Sequence, residues 1–147
     1  MNGHDDVDLA AVDGAGWARI SGLLLDQGVT SWLPTLISAP LELLDRRIDN
    51  LSSLMREGSG PDAVGIHLEG PFLGGARGAH PGPGPDRVDL EWLESLPSSV
   101  CVMTLGPECP GAAEAIRLLA DRGVVCALGH TSATAVQAEA AVDAGAR

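Results

Sequence analysis

The sequence holds no lysine and no tyrosine, one phenylalanine and three cysteines in 147 residues. Without lysine there can be no P-loop, which ends in Gly-Lys-Ser/Thr. The nine basic residues are all arginine and scattered, against 20 acidic ones, for a net charge of -11. A nucleic-acid surface needs clustered Lys and Arg, so that class is set aside. Long apolar runs are missing too. Gly22-Leu23-Leu24-Leu25 falls far short of the roughly 20 residues that span a bilayer. The opening Met1-Asn2-Gly3-His4-Asp5-Asp6 is acidic and has neither the basic nor the apolar region of a signal peptide. Cys101, Cys109 and Cys126 are odd in number and form no C-x-x-C pair. That pattern speaks against a disulfide scaffold or zinc knuckle and for a reducing cytoplasm. What is present is globular: 45% hydrophobic and 20% charged, with a core drawn from Leu, Val, Ile and Ala.

Hydrophobic spacing predicts alternating strands and helices. Trp17 to Asp26 reads as a helix, with Ile20, Leu23 and Leu24 on one face and Gly28 ending it. Val29 to Leu36 reads as a short buried strand. Leu41 to Arg56 is the clearest helix, with a stripe of Leu41, Leu44, Ile48, Leu51 and Met55. Ala63 to Leu68 is a second strand, stopped at Glu69-Gly70-Pro71. The Gly- and Pro-rich segment from Gly74 to Pro85 is a loop. Asp89 to Leu96 is a short helix, Val100 to Leu105 a third strand and Gly111 to Asp121 a helix. Val124 to Leu128 is a fourth strand and Ala135 to Ala144 the last helix. Near-continuous apolar strands alternating with helices indicate an α/β fold with a parallel sheet. A doubly wound sheet and a (β/α)8 barrel both fit. A full barrel takes about 250 residues, so this chain can supply only about half of one.

Polar residues cluster where the strands end, the face that carries active sites in parallel α/β proteins. Glu69 ends the second strand, Glu108 lies just past the third and His130 ends the fourth. Glu and neutral His are competent ligands for a divalent metal. Each also has a plainer reading. Glu69 can be a solvated strand-end carboxylate, and His130 a loop histidine beside a helix N-cap supplied by Ser132 or Thr134. His67 shares a strand face with Glu69 and reads as a core histidine satisfied by hydrogen bonds. Glu108 reads as a loop residue or a group supporting others from behind. His4, in an acidic and frayed terminus, is given no role. The loop from Gly74 to Pro85 lacks G-x-G-x-x-G, so it is no dinucleotide fingerprint. It is either a connector or, carrying Arg77 and His80 beside Glu69, a segment that closes over substrate.

Four segments together resemble one family. Gly28-Val29-Thr30-Ser31-Trp32-Leu33-Pro34-Thr35-Leu36 is similar to the second-strand segment of the N-acetylglucosamine-6-phosphate deacetylase family, in the amidohydrolase superfamily. His67-Leu68-Glu69-Gly70-Pro71-Phe72-Leu73 resembles its third-strand signature and is followed by Gly78-Ala79-His80. Thr104-Leu105-Gly106-Pro107-Glu108 resembles the segment usually written T-L-A-P-E, with Gly106 for Ala. Gly129-His130-Thr131-Ser132-Ala133-Thr134 resembles its G-H-S/T-x-A-T signature. The resemblance runs over essentially the whole chain. It implies part of a (β/α)8 TIM-type barrel, about strands two to five, with residues 1–147 forming a partial metal-dependent domain.

By position, the resemblance implies that Glu69 and His130 are metal ligands. Zinc is the first choice, with iron or another divalent cation as the alternatives. It implies that Ala79 and His80 contact the amino-sugar substrate, His80 holding the amide carbonyl. The implied reaction is metal-dependent hydrolysis of N-acetylglucosamine 6-phosphate to glucosamine 6-phosphate and acetate. The implied partner is a small-molecule amino-sugar phosphate, without nucleic acid or membrane. A homodimer is expected for the full-length form, in the cytoplasm. The family's H-x-H-G motif would precede Gly3-His4-Asp5-Asp6. Its sixth-strand histidine, H-x-x-N-A-M motif, phosphate-binding residues and eighth-strand general-base aspartate would follow Arg147. No catalytic residue is therefore expected within the chain, which by itself should be inactive. The other readings are an amidohydrolase for a different amide, against which H-L-E-G-P-F and G-A-H speak, and a non-catalytic remnant.

Overall fold

A computed structural model of the chain describes residues 1–58, 60–82 and 84–147. The N-terminus is ordered, contrary to the frayed end expected from its charge. Strand β1 (Gly3–His4) pairs antiparallel with β2 (Val7–Asp8). Asp5 takes the left-handed conformation at the turn, and its carboxylate and that of Asp6 meet Arg19 at 2.9 and 3.0 Å. His4 Nε2 lies 2.8 Å from the Gln27 amide nitrogen. These ties reach across the chain, where local composition gives no sign of them.

Helix α1 (Gly14–Asp26) starts at Gly14 rather than Trp17, because Asp13 caps it and accepts from Gly16 N–H at 2.8 Å. It buries Trp17, Ile20 and Leu24. The single strand expected over 29–36 is two pieces, β3 (Ser31–Trp32) and β4 (Thr35–Ile37). Pro34 between them has no N–H for a ladder. The following strand breaks likewise into β5 (Asp62–Ala63) and β6 (Ile66–Glu69). The break falls at Gly65, at φ 156°, where a Cβ would run into Cys101. Strand β3 pairs in parallel with β5, and β4 with β6, so the two breaks coincide.

Helix α2 (Leu41–Glu57) matches the expected span, though its buried row is Leu44, Ile48, Leu51 and Leu54, with Met55 only partly covered. Beyond the loop, whose Pro83 lies outside the described residues, Asp89 caps the short helix α3 (Leu90–Ser95). Strand β7 (Val100–Leu105), helix α4 (Ala112–Asp121), strand β8 (Val125–Leu128) and helix α5 (Ala135–Asp143) complete the chain. Of the two candidate caps for α5, Thr134 is the one used, in a reciprocal capping box with Gln137.

The main sheet is parallel and runs β4-β6-β7-β8. Its spatial order is its sequence order, without the reversal that marks a doubly wound sheet. This is barrel order. Ile66, Leu68, Met103, Leu105 and Cys126 are fully buried under the helices. Each such large apolar side chain stabilises by about 1.5–3 kcal/mol. Register then places Ile37, Glu69 and Thr104 side by side at the end where the strands finish. The apolar ladder thus delivers the polar residues to one rim.

Candidate metal and substrate site

Glu69 is the last residue of β6, and His130 stands just beyond β8. The loop after β6 brings His80 back over the same rim. His130 Nε2 lies 2.7 Å from Glu69 Oε1, and His80 Nε2 lies 3.7 Å from the same oxygen. The two imidazoles meet edge to face with centroids 4.4 Å apart. One donor atom from each of the three residues falls within 4.8 Å of the others. His130 achieves this with φ at 50°, left-handed backbone that a residue with a Cβ adopts only under constraint.

Burial pushes the Glu69 carboxyl up, but the His130 hydrogen bond and the nearby His80 outweigh it, holding the group below its ordinary value. Burial lowers His80, with Glu69 opposing. Ser38, just past β4 and buried, supports both. Its hydroxyl lies 3.3 Å from the Glu69 carbonyl oxygen and 3.0 Å from His80 Nδ1. Gly70 leaves room for that hydroxyl, because a Cβ there would strike it. Ser38 also lines a cleft of about 390 Å3 with Pro71, Arg77 and Pro81.

His67 is held inside the sheet, as its strand position suggested. Its Nδ1 lies 3.2 Å from the Thr35 hydroxyl and its Nε2 2.8 Å from that of Thr104. Burial lowers its pKa against the pull of Glu69. Glu108 is tied to both rim loops. It accepts from Gly75 N–H at 3.0 Å, from Ser132 N–H at 2.7 Å and from the Thr131 hydroxyl.

The structure thus brings together Glu69 and His130, read from the sequence as ligands, and His80, read as a substrate contact. Ala79 is exposed in the loop beside them. Sequence reasoning missed Ser38. The rule that found Glu69 and His130, a polar residue where an apolar strand ends, applies to it equally. Among the described residues no helix is long and apolar enough to cross a membrane.

No family model matches the chain. It is 34% identical over 156 aligned residues to the N-acetylglucosamine-6-phosphate deacetylase of Danio rerio, covering 99% of this chain and 39% of that protein. It is 38% identical over 126 residues to the N-acetylgalactosamine-6-phosphate deacetylase of Escherichia coli O157:H7, covering 82% of this chain and 33% of the relative. Among solved structures, the N-acetyl-D-glucosamine-6-phosphate deacetylase of Mycobacterium smegmatis superposes with a TM-score of 0.90 at 35% identity. That match covers 99% of this chain and 39% of the other. A second structure, of a variant of that enzyme in complex with N-acetyl-D-glucosamine-6-phosphate, gives 0.91. Along nearly its whole length, then, the chain is similar to the N-acetylglucosamine-6-phosphate deacetylases, as an α/β part of a TIM-type barrel that spans 39% of such a protein.

Proposed function

We propose that residues 1–147 form the part of a deacetylase barrel that holds the metal and one side of the substrate. The reaction is hydrolysis of the N-acetyl group of N-acetylglucosamine 6-phosphate to glucosamine 6-phosphate and acetate. The observation that carries this reading is the convergence of Glu69, His80 and His130 at the strand ends, in a chain matched along 99% of its length by such enzymes.

The donor set fits a metal. The carboxylate oxygen of Glu69 and the imidazole nitrogen of His130 suit zinc and similar divalent cations. The lowered pKa of His80 favours its neutral ring, which adds no positive charge beside a bound cation. Glu69 and His130 are the two ligands we assign, with zinc first among the metals. A divalent cation held there would polarise the amide and make water nucleophilic near neutral pH. His80 has Nδ1 beside the Ser38 hydroxyl and Nε2 toward the same space; with Nδ1 accepting from Ser38 and the ring proton on Nε2, it would donate to the acetyl carbonyl. Ala79 forms the exposed wall beside it. The adjoining cleft lies within the size range of small-ligand sites, about 300–1,000 Å3. Three free cysteines support a reducing, cytoplasmic setting.

The test is acetate release from N-acetylglucosamine 6-phosphate by a complete barrel that carries this sequence, beside its Glu69→Gln variant. N-acetylgalactosamine 6-phosphate serves as the second substrate, because the Escherichia coli relative is named for it. Metal-dependent release that Glu69→Gln abolishes is expected. Release indifferent to that substitution would remove Glu69 from the site.

A further inference from the structure

Glu108 lies outside the Glu69–His80–His130 group, yet it touches both loops that carry the histidines. Gly75 opens the loop that leads to His80, while Thr131 and Ser132 directly follow His130. A single carboxylate receives N–H donors from Gly75 and Ser132 on Oε1 and the Thr131 hydroxyl on Oε2. The surroundings are cut to admit it. A Cβ at Gly74 would occupy the Glu108 carboxylate, one at Gly75 would meet the Ser132 hydroxyl, and one at Gly106 would press on Gly74. Burial pushes the Glu108 carboxyl up, but the Thr131 hydroxyl and the two amides pull it down to about 2. It is therefore an ionised, acceptor-only group at neutral pH, matched by partners that all donate.

His130 needs such support. Left-handed backbone at a residue with a Cβ costs on the order of 1–3 kcal/mol and persists only where the surroundings hold it. Relaxing His130 to negative φ would swing the next two residues, and so lift Thr131 and Ser132 off Glu108. We infer that Glu108 is a positioning residue. By clasping the two loops it locks the left-handed turn that aims His130 Nε2 at Glu69. The inference rests on the metal-site reading for its consequence, though not for its geometry.

The test uses the full 147-residue chain in two measurements. In the first, long-range 1H–15N spectra of the histidine rings are recorded without metal. Glu108→Gln puts an amide donor where an acceptor is needed, Thr131→Val deletes the hydroxyl and Thr131→Ser restores it. The His130 ring signals should shift in the Gln and Val variants and return in the Ser variant, while those of His67, held inside the sheet, stay fixed. In the second, Co2+ is titrated into each protein. Affinity should fall roughly 10- to 100-fold in the Gln and Val variants and stay near wild type in the Ser variant. A lower melting temperature with unmoved His130 signals would make Glu108 purely structural and overturn the inference. If the wild type takes up no Co2+, the two ligands of this chain do not hold a metal by themselves, and the ring spectra decide the role of Glu108. Should Glu108→Gln fail to fold, the Thr131 pair carries the same decision.

Discussion

Replacing His67 with alanine isolates the polar bridge inside the sheet. The imidazole spans β4, β6 and β7 through the hydroxyls of Thr35 and Thr104. Both threonines are buried, at 4% and 9% exposure. Without the ring, Thr35 keeps the Met1 amine at 2.7 Å as a donor to its hydroxyl. Thr104 has no second side-chain partner among the described residues, so its hydroxyl is orphaned. An orphaned buried hydroxyl costs about 1–3 kcal/mol and the other lost bond about 1 kcal/mol. With the lost ring packing, the sum is about 3 kcal/mol. At 2–4 °C per kcal/mol for domains near this size, thermal unfolding at pH 7 should move down by roughly 10 °C.

Acid provides a second readout of the same residue. Burial lowers the His67 pKa below its ordinary 6.5, so below that pH the unfolded chain binds a proton that the folded chain resists. Stability then falls as pH drops from 6.5. The alanine variant should show a shallower acid slope than wild type. A loss under about 1 kcal/mol together with an unchanged slope would refute the bridge, since even a single net hydrogen bond is worth about that much.

Other outcomes follow from the rim. Glu69→Gln and His130→Ala should each weaken Co2+ binding by at least about tenfold, measured by calorimetry, because the first swaps a carboxylate for a poorer neutral amide ligand and the second removes the imidazole nitrogen. His80→Ala should leave most of that affinity in place and lower turnover in the full enzyme. An equal loss of metal would make His80 a third ligand instead. Glu108 titrates near 2 when folded against an ordinary 4.5, so its stabilisation is complete above 4.5 and drains away as pH falls toward 2. The difference in melting temperature between wild type and Glu108→Gln should therefore be constant above about pH 5 and shrink below it. A gap that widens with acid would contradict that sign.

Elements with their own periodicity were legible. The row on α2 and the apolar run of β7 identify themselves, the latter at its observed bounds. Glu69 and His130 were legible because a polar residue ending an apolar strand has few places to point. The breaks in the first two strands were not, although Pro34 marks one of them. A broken strand looks whole until its partner is seen to break at the same level. The ordered N-terminus depends on Gln27, Arg19 and Thr35, each far along the chain. The bonds of Glu108 likewise join three loops that are separate in sequence, and no local pattern encodes such a meeting. His80 was expected in a loop beside Glu69, and its 3.7 Å approach to that carboxylate is a product of loop path.

Helix α5 buries only Ala141, whereas α2 and α4 each bury four residues. Val136 and Val142 on α5 stand 74% and 59% exposed. In the 147-residue chain taken by itself, so little covered apolar surface means that α5 opens at a small fraction of the global unfolding free energy, and its amides should exchange with solvent early. Most helices that open would drag the preceding loop with them. Here the Ser132 N–H is fastened to Glu108 rather than to the helix, and Thr134 marks where the helix begins. The Ser132 amide should stay protected while the α5 amides exchange, leaving His130 aimed at Glu69 through many openings of the helix behind it.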